Sequence, residues 1–345
     1  MRQGTYYHAL PRDYFNNLYP RVIEKLTKGE NVLVSAMYGC GGKTFLNFFL
    51  RLAEENNLFD QILYFDPEIE SSNLVDFVKK QIGAYSQMLV IIRHFDMVED
   101  KINTLEKLNR LRQPRPDNLT YLVITNHKGI LNPNDYFAQS STFFSSQYQI
   151  EPFSFKQAKQ MIQITANYYG WTISPTQYSK IFSLSGGIPR LIKHICKDLA
   201  EKNIKLGNIN KLLQNPSILF QVNFITVLIT TLSNPQLELL GIINEKSEIL
   251  SHLTEQYFKN FQSQLVKELY PNLTNSEKKV FTYLHQNQNK LVSLDKLGDL
   301  MEMNGYNYSL WAIYKLISRL KPKIGKHFDI INVKGRGYYL KDAPD

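Results

Sequence analysis

Short apolar runs separated by segments of helical periodicity make up the first part of the chain. Four runs, which begin near residues 31, 61, 87 and 120, are apolar at nearly every position. Runs of this length are typical of strands in a parallel sheet that helices cover on both faces. The segments between them have the length of crossover helices. The pattern therefore predicts an α/β domain with crossover helices over residues 1–150, with a lead-in helix before its first strand.

The pattern becomes helical after residue 150 and changes again near residue 269. Residues 151–204 contain three short amphipathic segments, and residues 205–268 are mostly helical but interrupted by Pro216 and Pro235. We interpret the first stretch as a helical lid and the second as a helical linker or a small degenerate domain, in which we identify no chemistry. Residues 269–345 form a compact module with several cationic residues.

Composition narrows the possible partners. The 345 residues carry a formal net charge of +9, which favours a polyanionic partner over a neutral one, unless the charge lies on a solvated face. Two cysteines cannot build a disulfide framework, and the seven histidines show no zinc-ligand spacing. No apolar run approaches the roughly 20 residues of a spanning helix. We expect a cytoplasmic protein that does not associate with membranes.

The segment "SAMYGCGGKTF" follows the first predicted strand and opens a helix. It fits the phosphate-binding pattern G-x-x-x-x-G-K-[ST], except that Met37 takes the place of the first glycine. Glycines let successive backbone N–H groups turn toward a phosphate, and the lysine reaches the terminal phosphates. The pattern predicts that ATP or ADP binds here, with Mg²⁺ held through the nucleotide by the Thr44 hydroxyl. The predicted nucleotide-binding residues of the loop are Gly39, Cys40, Gly41, Gly42, Lys43 and Thr44.

Hydrolysis would also need a carboxylate near the end of the third strand. Arg93 and His94 occupy that place, and the next carboxylate is Asp96. Asp96 and Asn126 are the candidate catalytic residues, although an N-cap of the following helix is the better-supported role for Asp96. Asp66 ends a strand that we expect to lie farther from the loop. The sequence therefore supports nucleotide binding more strongly than turnover.

Residues 10–205 resemble an AAA+/STAND-type P-loop ATPase with an Orc/Cdc6-like layout. The resemblance is carried by the loop, by "YLVITNHK" with Thr125 or Asn126 at the sensor place, by "YQIEPFSFKQAKQMI", and by "SGGIPRLIKHI". It implies that Pro189 and Arg190 begin a lid helix that faces the nucleotide. His127 stands where STAND proteins often have an arginine, and residues 127–150 contain no arginine.

The C-terminal module combines three predicted helices with a hairpin. "LTNSEKKVF" opens with a capping-box pattern at Thr274 and Glu277, and "SLWAIYKLISRLKPK" has apolar residues at helical spacing until Pro322, which we expect to end the helix. "FDIINVKGRGYYL" reads as two strands joined by a glycine-supported turn. Three helices followed by a hairpin predict a winged helix-turn-helix, and residues 270–341 resemble the OmpR/PhoB-type winged helix.

Cations concentrate where such a module would meet duplex DNA. Residues 309–336 contain seven Lys and Arg against one Asp. Cations on the third helix and on the turn suit phosphate and groove contacts, whereas a solvated basic face is the plainer alternative. The predicted DNA-binding residues are Trp311, Tyr314, Lys315, Ser318, Arg319, Lys321, Lys323, Lys334 and Arg336.

Three functions remain open on these observations. The favoured function is a DNA-binding regulator of transcription, in which the bound ATP or ADP controls the winged helix. The first alternative is a DNA-acting AAA+ ATPase such as a replication initiator or loader, and the second is a DNA-binding scaffold with a vestigial nucleotide site. The expected partners are double-stranded DNA and nucleotide, with self-association left open.

Overall fold

The computed structural model describes residues 10–70, 72–83, 87–136, 143–202, 204–270, 272–301, 310–325 and 328–342. The chain divides into two compact units, residues 1–254 and residues 255–345. Each unit has a sheet and a hydrophobic core of its own. No helix among the described residues is both long enough and apolar enough to cross a membrane.

A five-stranded sheet forms the centre of the first unit. Its strands lie in the order β2-β3-β4-β1-β5, and every neighbouring pair is parallel. The strands are β1 (Val32–Ala36), β2 (Gln61–Phe65), β3 (Met88–Ile92), β4 (Leu119–Thr125) and β5 (Ser146–Ile150). The predicted parallel α/β sheet, with a glycine-rich connection between β1 and the next helix, is thus confirmed.

The fifth strand is absent from the sequence prediction. Its residues, "SQYQI", are mostly polar and only partly buried, so they lack the apolar run that marks β1, β3 and β4. Among the described strands, β5 pairs with β1 alone and closes one edge of the sheet. An edge strand needs less apolar surface than a central one because a single neighbour covers it. The same polarity made the segment look like a connection.

Helices follow the strands in the expected alternation. They are α1 (Tyr19–Thr27), α2 (Gly42–Glu55), α3 (Leu74–Gln81), α4 (Lys101–Arg112) and the short α5 (Lys128–Leu131). The buried side of α2 is largely aromatic, with Phe45, Phe48 and Phe49 fully buried. This burial holds the first turn of α2, and with it the glycine-rich loop, against the end of β1.

Three helices correspond to the predicted lid: α6 (Phe155–Tyr168), α7 (Pro175–Ser185) and α8 (Pro189–Lys202). Capping boxes at Ser154 and Ser174 start the first two, and Pro189 opens the third. The chain continues with α9 (Ile209–Leu213), α10 (Pro216–Thr231) and α11 (Asn234–Leu239), which belong to the same compact unit. The bounds of the four predicted domains stay predictions.

The second unit contains the predicted helices and hairpin. Helix α12 (His252–Leu269) runs across the division between the units, and it is followed by α13 (Asn275–Gln286), β6 (Val292–Ser293), α14 (Leu294–Leu300), α15 (Leu310–Ile324), β7 (Phe328–Val333) and β8 (Gly337–Asp342). The strands form an antiparallel sheet in the order β6-β8-β7. Apolar faces of α13, α14 and α15 enclose a core with this sheet.

Pro322 does not end helix α15, contrary to the prediction. The helix continues through it to Ile324. Pro322 has no backbone N–H and therefore forfeits one helical hydrogen bond, to the carbonyl four residues earlier. Ile324 is fully buried, and the Lys323 ammonium bonds both carboxylate oxygens of Glu277, at 3.0 and 2.7 Å. These two anchors keep the last turn helical.

Glu277 links the start of α13 to the end of α15 in the second unit. It completes the predicted capping box at the start of α13 by accepting a hydrogen bond from the Thr274 backbone N–H, at 2.7 Å. Burial raises the pKa of this carboxyl, but the hydrogen bonds from Lys323 and Thr274 outweigh burial and leave the pKa below its usual value. Glu277 is therefore a buried carboxylate that depends on its donors.

We expect Lys323→Met to destabilise the C-terminal unit by about 1–3 kcal/mol, because a buried carboxylate would lose its charged donor. Hydrogen exchange of peptides from α13 and α15, measured in the full chain, reports this change. Lys321→Met is the matched control, since Lys321 is exposed on the same helix. It should change stability by no more than about 0.5 kcal/mol. Equal protection in both variants would contradict the role assigned to Glu277 and Lys323.

Candidate functional site

The loop between β1 and α2 accommodates Met37 without strain. Its left-handed positions are Gly39, with φ 87°, and Gly41, with φ 97°, whereas Met37 has no positive φ. The Met37 carbonyl accepts a hydrogen bond from the Cys40 backbone N–H at 2.9 Å, and the Met37 side chain is buried. A glycine is required only where φ is positive or space is short. The loop can therefore keep a phosphate-loop path with methionine in the first position.

A cavity of about 380 Å³ opens above this loop. It brings together the loop, the ends of β3 and β4, and the first turn of α8. Its described lining residues are Ala36, Met37, Tyr38, Gly39, Gly41, Gly42, Lys43, Thr44, Arg93, His94, Ile124, Thr125, Asn126, Met161, Pro189, Arg190, Lys193 and His194. Seven of the eight residues predicted for nucleotide binding are among them, and Cys40 is not.

The cavity has a strongly positive lining. Lys43, Arg93, Arg190 and Lys193 contribute four cations, and the described lining residues include no carboxylate. Burial lowers the pKa of Lys193, and the charges of Lys197, Arg190 and Lys43 lower it further. An anion in the cavity would relieve this mutual repulsion. The electrostatics suit a polyphosphate.

His194 adds no charge to this lining. Burial lowers the pKa of His194 to about 4, with help from the neighbouring cations Arg190, Lys193 and Lys197. Its imidazole is therefore neutral at neutral pH and is available as a hydrogen-bonding group. Lys193 and His194 are absent from the sequence prediction. Their position one helical turn after Pro189 and Arg190, on the same face of α8, is the signal that could have found them.

The Cys40 side chain points away from the cavity. The residue is fully buried, and burial raises the pKa of its thiol to about 12. The thiol is therefore protonated, and the Cys40 backbone N–H already bonds to Met37. The structure assigns Cys40 to the packing of the loop, while its predicted contact with nucleotide stays a prediction.

The lid helix contacts the loop directly. The Arg190 backbone N–H donates to the Gly39 carbonyl at 3.1 Å, and the Arg190 guanidinium lies over the Tyr38 ring, 4.5 Å from its centroid. The Pro189 ring is 3.5 Å from the place that a Cβ on Gly41 would take. Pro189 and Arg190 therefore stand at the cavity because the first turn of α8 packs on the loop.

Asp96 and Asn126 form a bonded pair at the end of β4. Asn126 donates to Asp96 from its backbone N–H at 3.1 Å and from its side-chain amide at 2.9 Å, and the Thr125 hydroxyl donates at 3.3 Å. Asp96 lies in a 3₁₀ turn, so its expected role as the N-cap of the next helix is wrong. Asp100 caps α4 instead, by accepting from the Asn103 backbone N–H. Asp96 orients Asn126, which lines the cavity, and a catalytic role for either residue stays a prediction.

A buried carboxylate, Asp66, holds two of the cavity residues in place. It accepts hydrogen bonds or ion pairs from His94 at 3.0 Å, Arg93 at 3.4 Å, Tyr64 at 3.1 Å and the Glu68 backbone N–H at 3.1 Å. Two strands separate β2 from β1 in the sheet, so Asp66 is far from the loop as expected and acts through its neighbours. Burial raises the pKa of Asp66, but His94 and the hydrogen bonds from the Glu68 backbone and Tyr64 outweigh burial and lower the pKa below its usual value.

Helix α10 was missed as part of the site because its residues carry no recognisable motif. The Gln221 side-chain amide donates to the Tyr38 carbonyl at 2.8 Å. The Phe220 and Phe224 rings each meet the Tyr38 ring edge-on, with centroids 5.6 Å apart. Phe224 also contacts the His127 ring, whose pKa burial lowers. Part of the predicted linker thus packs on the phosphate loop.

In the second unit, the residues predicted to bind DNA divide into two groups. Trp311, Tyr314, Lys315, Ser318, Arg319 and Lys321 are exposed on α15, and Lys334 and Arg336 are exposed on the turn between β7 and β8. The Lys315 ammonium lies over the Trp311 ring, 4.6 Å from its centroid. Lys323 instead pairs with Glu277, so we leave it out of the proposed interface. Lys326 lies outside the described residues.

No protein-family model and no curated protein matches the chain. Among solved structures, the chain is similar to the Aeropyrum pernix Orc1 protein in complex with DNA, at 12% identity over 97% of this chain and 90% of that chain, with a TM-score of 0.39. It is similar to the Thermotoga maritima RuvB Holliday junction branch migration motor, at 13% identity over 94% and 90%, with a TM-score of 0.43. A replication initiator DnaA bound to AMPPCP and single-stranded DNA matches at 11% identity over 90% and 89%, with a TM-score of 0.44. Similarities this low leave the function to be argued from the residues of this chain.

We expect Asp66→Asn to lower the free energy of unfolding at neutral pH by about 1–3 kcal/mol, because Arg93 and His94 would lose a buried charged acceptor. Folding lowers the pKa of Asp66, so its stabilisation is fully present above the unfolded value of about 4 and is lost as the pH falls through the lower native value. Urea unfolding at about pH 7, 5 and 3.5 measures the difference between the two proteins.

The difference in free energy of unfolding between the unaltered protein and Asp66→Asn should therefore become smaller at the lowest pH. Asp117→Asn provides the control, since Asp117 is exposed. A difference in free energy of unfolding that stays constant across this pH range would show that the stabilisation by Asp66 does not require its ionised form.

Proposed function

We propose that the first unit binds ATP or ADP in the cavity above the loop. The observation that carries this proposal is the combination of four cations with the first turn of α2 at one cavity. The first N–H groups of a helix have no partner within it, and the helix dipole adds positive potential at the same place. A chain of phosphates can bind to the cations and to the helix N-terminus at the same time.

The roles of the individual residues follow from their positions. Gly39, Gly41, Gly42, Lys43 and Thr44 lie at the cavity wall and would receive the phosphates through backbone N–H groups and the lysine ammonium. The Thr44 hydroxyl would hold Mg²⁺ through the nucleotide, because a hydroxyl oxygen suits a hard cation. Arg190 and Lys193 would approach from the lid and neutralise the remaining charge.

We propose further that the C-terminal unit is a winged helix that binds duplex DNA. The exposed face of α15 presents Lys315, Ser318 and Arg319 with two aromatic rings, and the turn after β7 presents Lys334 and Arg336. A helix of this kind suits the major groove, whereas cations on a hairpin turn suit phosphates or the minor groove. The ordered helix and the charged turn belong to one compact unit with its own core.

Together these two proposals describe a DNA-acting nucleotide-binding protein of the AAA+ P-loop class, which was the first alternative raised by the sequence. The exposed cationic helix and the cationic nucleotide cavity support it. The structures similar to this chain include a replication initiator DnaA bound to single-stranded DNA and a branch-migration motor, at similarities too low to argue from. The favoured prediction of a transcription regulator gains no support and stays a prediction, as does a vestigial nucleotide site.

We expect Lys43→Ala to weaken ADP binding roughly 10- to 150-fold, which corresponds to the loss of one charge-assisted contact. Titration calorimetry of the full chain with Mg²⁺ measures the change. Lys180→Ala serves as the control, because Lys180 is an exposed lysine of α7 that does not line the cavity. The same affinity in Lys43→Ala and the unaltered protein would contradict nucleotide binding at this loop.

We expect Arg336→Ala to weaken binding to every duplex and to reduce the slope of log affinity against log salt by about one, because one phosphate contact is lost. Lys315→Ala should instead cost about 1–3 kcal/mol on a selected site and relax base preference. Fluorescence anisotropy at several salt concentrations, with a selected and a random duplex, separates the two effects.

Lys246→Ala controls for a general loss of positive charge, since Lys246 is an exposed residue of the first unit. Unchanged affinity and unchanged salt slope in both Arg336→Ala and Lys315→Ala would reduce the cations of the second unit to a solvated face.

A further inference from the structure

Helix α10 fixes one peptide of the phosphate loop through a single buried side chain. Gln221 is fully buried, and its amide donates to the Tyr38 carbonyl at 2.8 Å. The Tyr38 carbonyl and the Gly39 N–H belong to the same planar, trans peptide and therefore point in opposite directions. A donor that holds the carbonyl toward α10 consequently turns the Gly39 N–H away from α10.

Without such a donor, this peptide has little to hold its orientation. Glycine accepts positive and negative φ almost equally, so the peptide before Gly39 can rotate at low energy. The observed φ of 87° at Gly39 is one of the conformations that glycine accepts. The loop has a second polar restraint at the same residue, the bond from Arg190 to the Gly39 carbonyl, but that bond restrains the next peptide. The Tyr38–Gly39 peptide depends on Gln221.

The packing around Gly39 indicates that the glutamine and the glycine fit each other. A Cβ added to Gly39 would lie 2.3 Å from the Gln221 Oε1 atom and 2.6 Å from its Cδ atom. The Oε1 atom is buried and has no hydrogen-bond partner among the described residues. A buried amide with an unbonded oxygen lowers stability. The glutamine at this position is therefore better explained by its bond to the loop than by a contribution to the stability of the fold.

Helix α10 is itself anchored to the lid, which makes it a firm support. Asn215 caps α10, and its side-chain amide donates to both carboxylate oxygens of the buried Asp198 on α8, each at 2.9 Å. At the other end of α8, the Arg190 guanidinium lies between the loop and α10, 4.5 Å from the Tyr38 ring and 5.9 Å from the Phe220 ring. Lid, loop and α10 are thereby tied to one another at three points.

We infer that Gln221 is a positioning residue for nucleotide binding: it sets the orientation of the Tyr38–Gly39 peptide, and hence of a phosphate-binding N–H group. This inference rests on the proposed function of the cavity. It assigns a role in the nucleotide site to residues 205–268, in which the sequence shows no chemistry.

Replacement of Gln221 by methionine separates positioning from stability. Gln221→Met keeps the length of the side chain, removes the donor to Tyr38 and removes the unbonded oxygen. We expect ADP affinity to fall about 2- to 12-fold, the loss of one neutral hydrogen bond, while the thermal midpoint stays the same or rises. Gln149→Met is the matched control, because the Gln149 amide donates to the Leu239 carbonyl at 2.7 Å away from the loop. The control should retain the affinity of the unaltered protein.

A second variant adds a pH-dependent readout, which is compared with the thermal midpoint of the same variant at each pH so that destabilisation is recognised separately. In Gln221→Glu, the side chain can donate to Tyr38 only when it is protonated, and burial raises the pKa of a carboxyl toward neutrality. The ratio of its ADP dissociation constant to that of the unaltered protein should be near one at about pH 5.5 and should rise by about pH 8.5. Taking the ratio removes the titration of the nucleotide itself.

The outcomes separate this inference from the proposed function. Unchanged ADP affinity in Gln221→Met, a parallel loss of affinity and stability, or a flat ratio in Gln221→Glu would each overturn the role of Gln221 while leaving nucleotide binding intact. Absence of ADP binding by the unaltered protein would overturn the proposed function and this inference together. A loss of affinity without a loss of stability, together with the rising ratio, supports the inference.

Discussion

The parallel pairing of β1 with β4 on one side and β5 on the other is the constraint on which the candidate site depends. Parallel strands present their carboxyl ends at the same edge of a sheet. The loop that follows β1 therefore comes to lie beside Asn126, which follows β4, and beside Phe153, which follows β5. The three segments are far apart in sequence and meet only because their strands are neighbours.

Two carboxylates, the buried Asp66 and the half-buried Asp96, keep the polar residues of this edge in order. Asp66 holds Arg93 and His94 after β3, and Asp96 holds Asn126 after β4. Neither carboxylate lines the cavity. The cavity wall can therefore be strongly cationic without unpaired negative charge beside it, since the carboxylates are satisfied behind the wall by several donors each. This arrangement suits the binding of a polyanion.

The second unit uses a different arrangement of charge. Its buried carboxylate, Glu277, forms an ion pair with the partly exposed Lys323 of α15, and the other cations described on that helix and on the turn after β7 are exposed. A helix that buries its apolar face and leaves cations outside fits the surface of a duplex. The position of each lysine on α15 decides whether it reaches Glu277 or lies on the exposed face.

The central strands, the three helices after β5, the glycine-rich loop and the hairpin could all be predicted from the sequence. These elements follow from local rules: apolar runs for covered strands, helical spacing, capping boxes at Ser154, Ser174 and Thr274, and left-handed glycines in the loop. Local rules act over a few residues, so a single sequence displays them.

The polar edge strand β5, the continuation of α15 through Pro322 and the partners of Asp96 depend on tertiary contacts and could not be predicted in this way. The tertiary structure also decided that α10 packs on the loop, where Gln221 meets Tyr38 across more than 180 residues of chain. Contacts of this kind depend on which strands and helices become neighbours, and polar residues such as Gln221 have no periodicity that reveals their partner. The residue types were visible in the sequence, but the distances between them were set by the order of the strands.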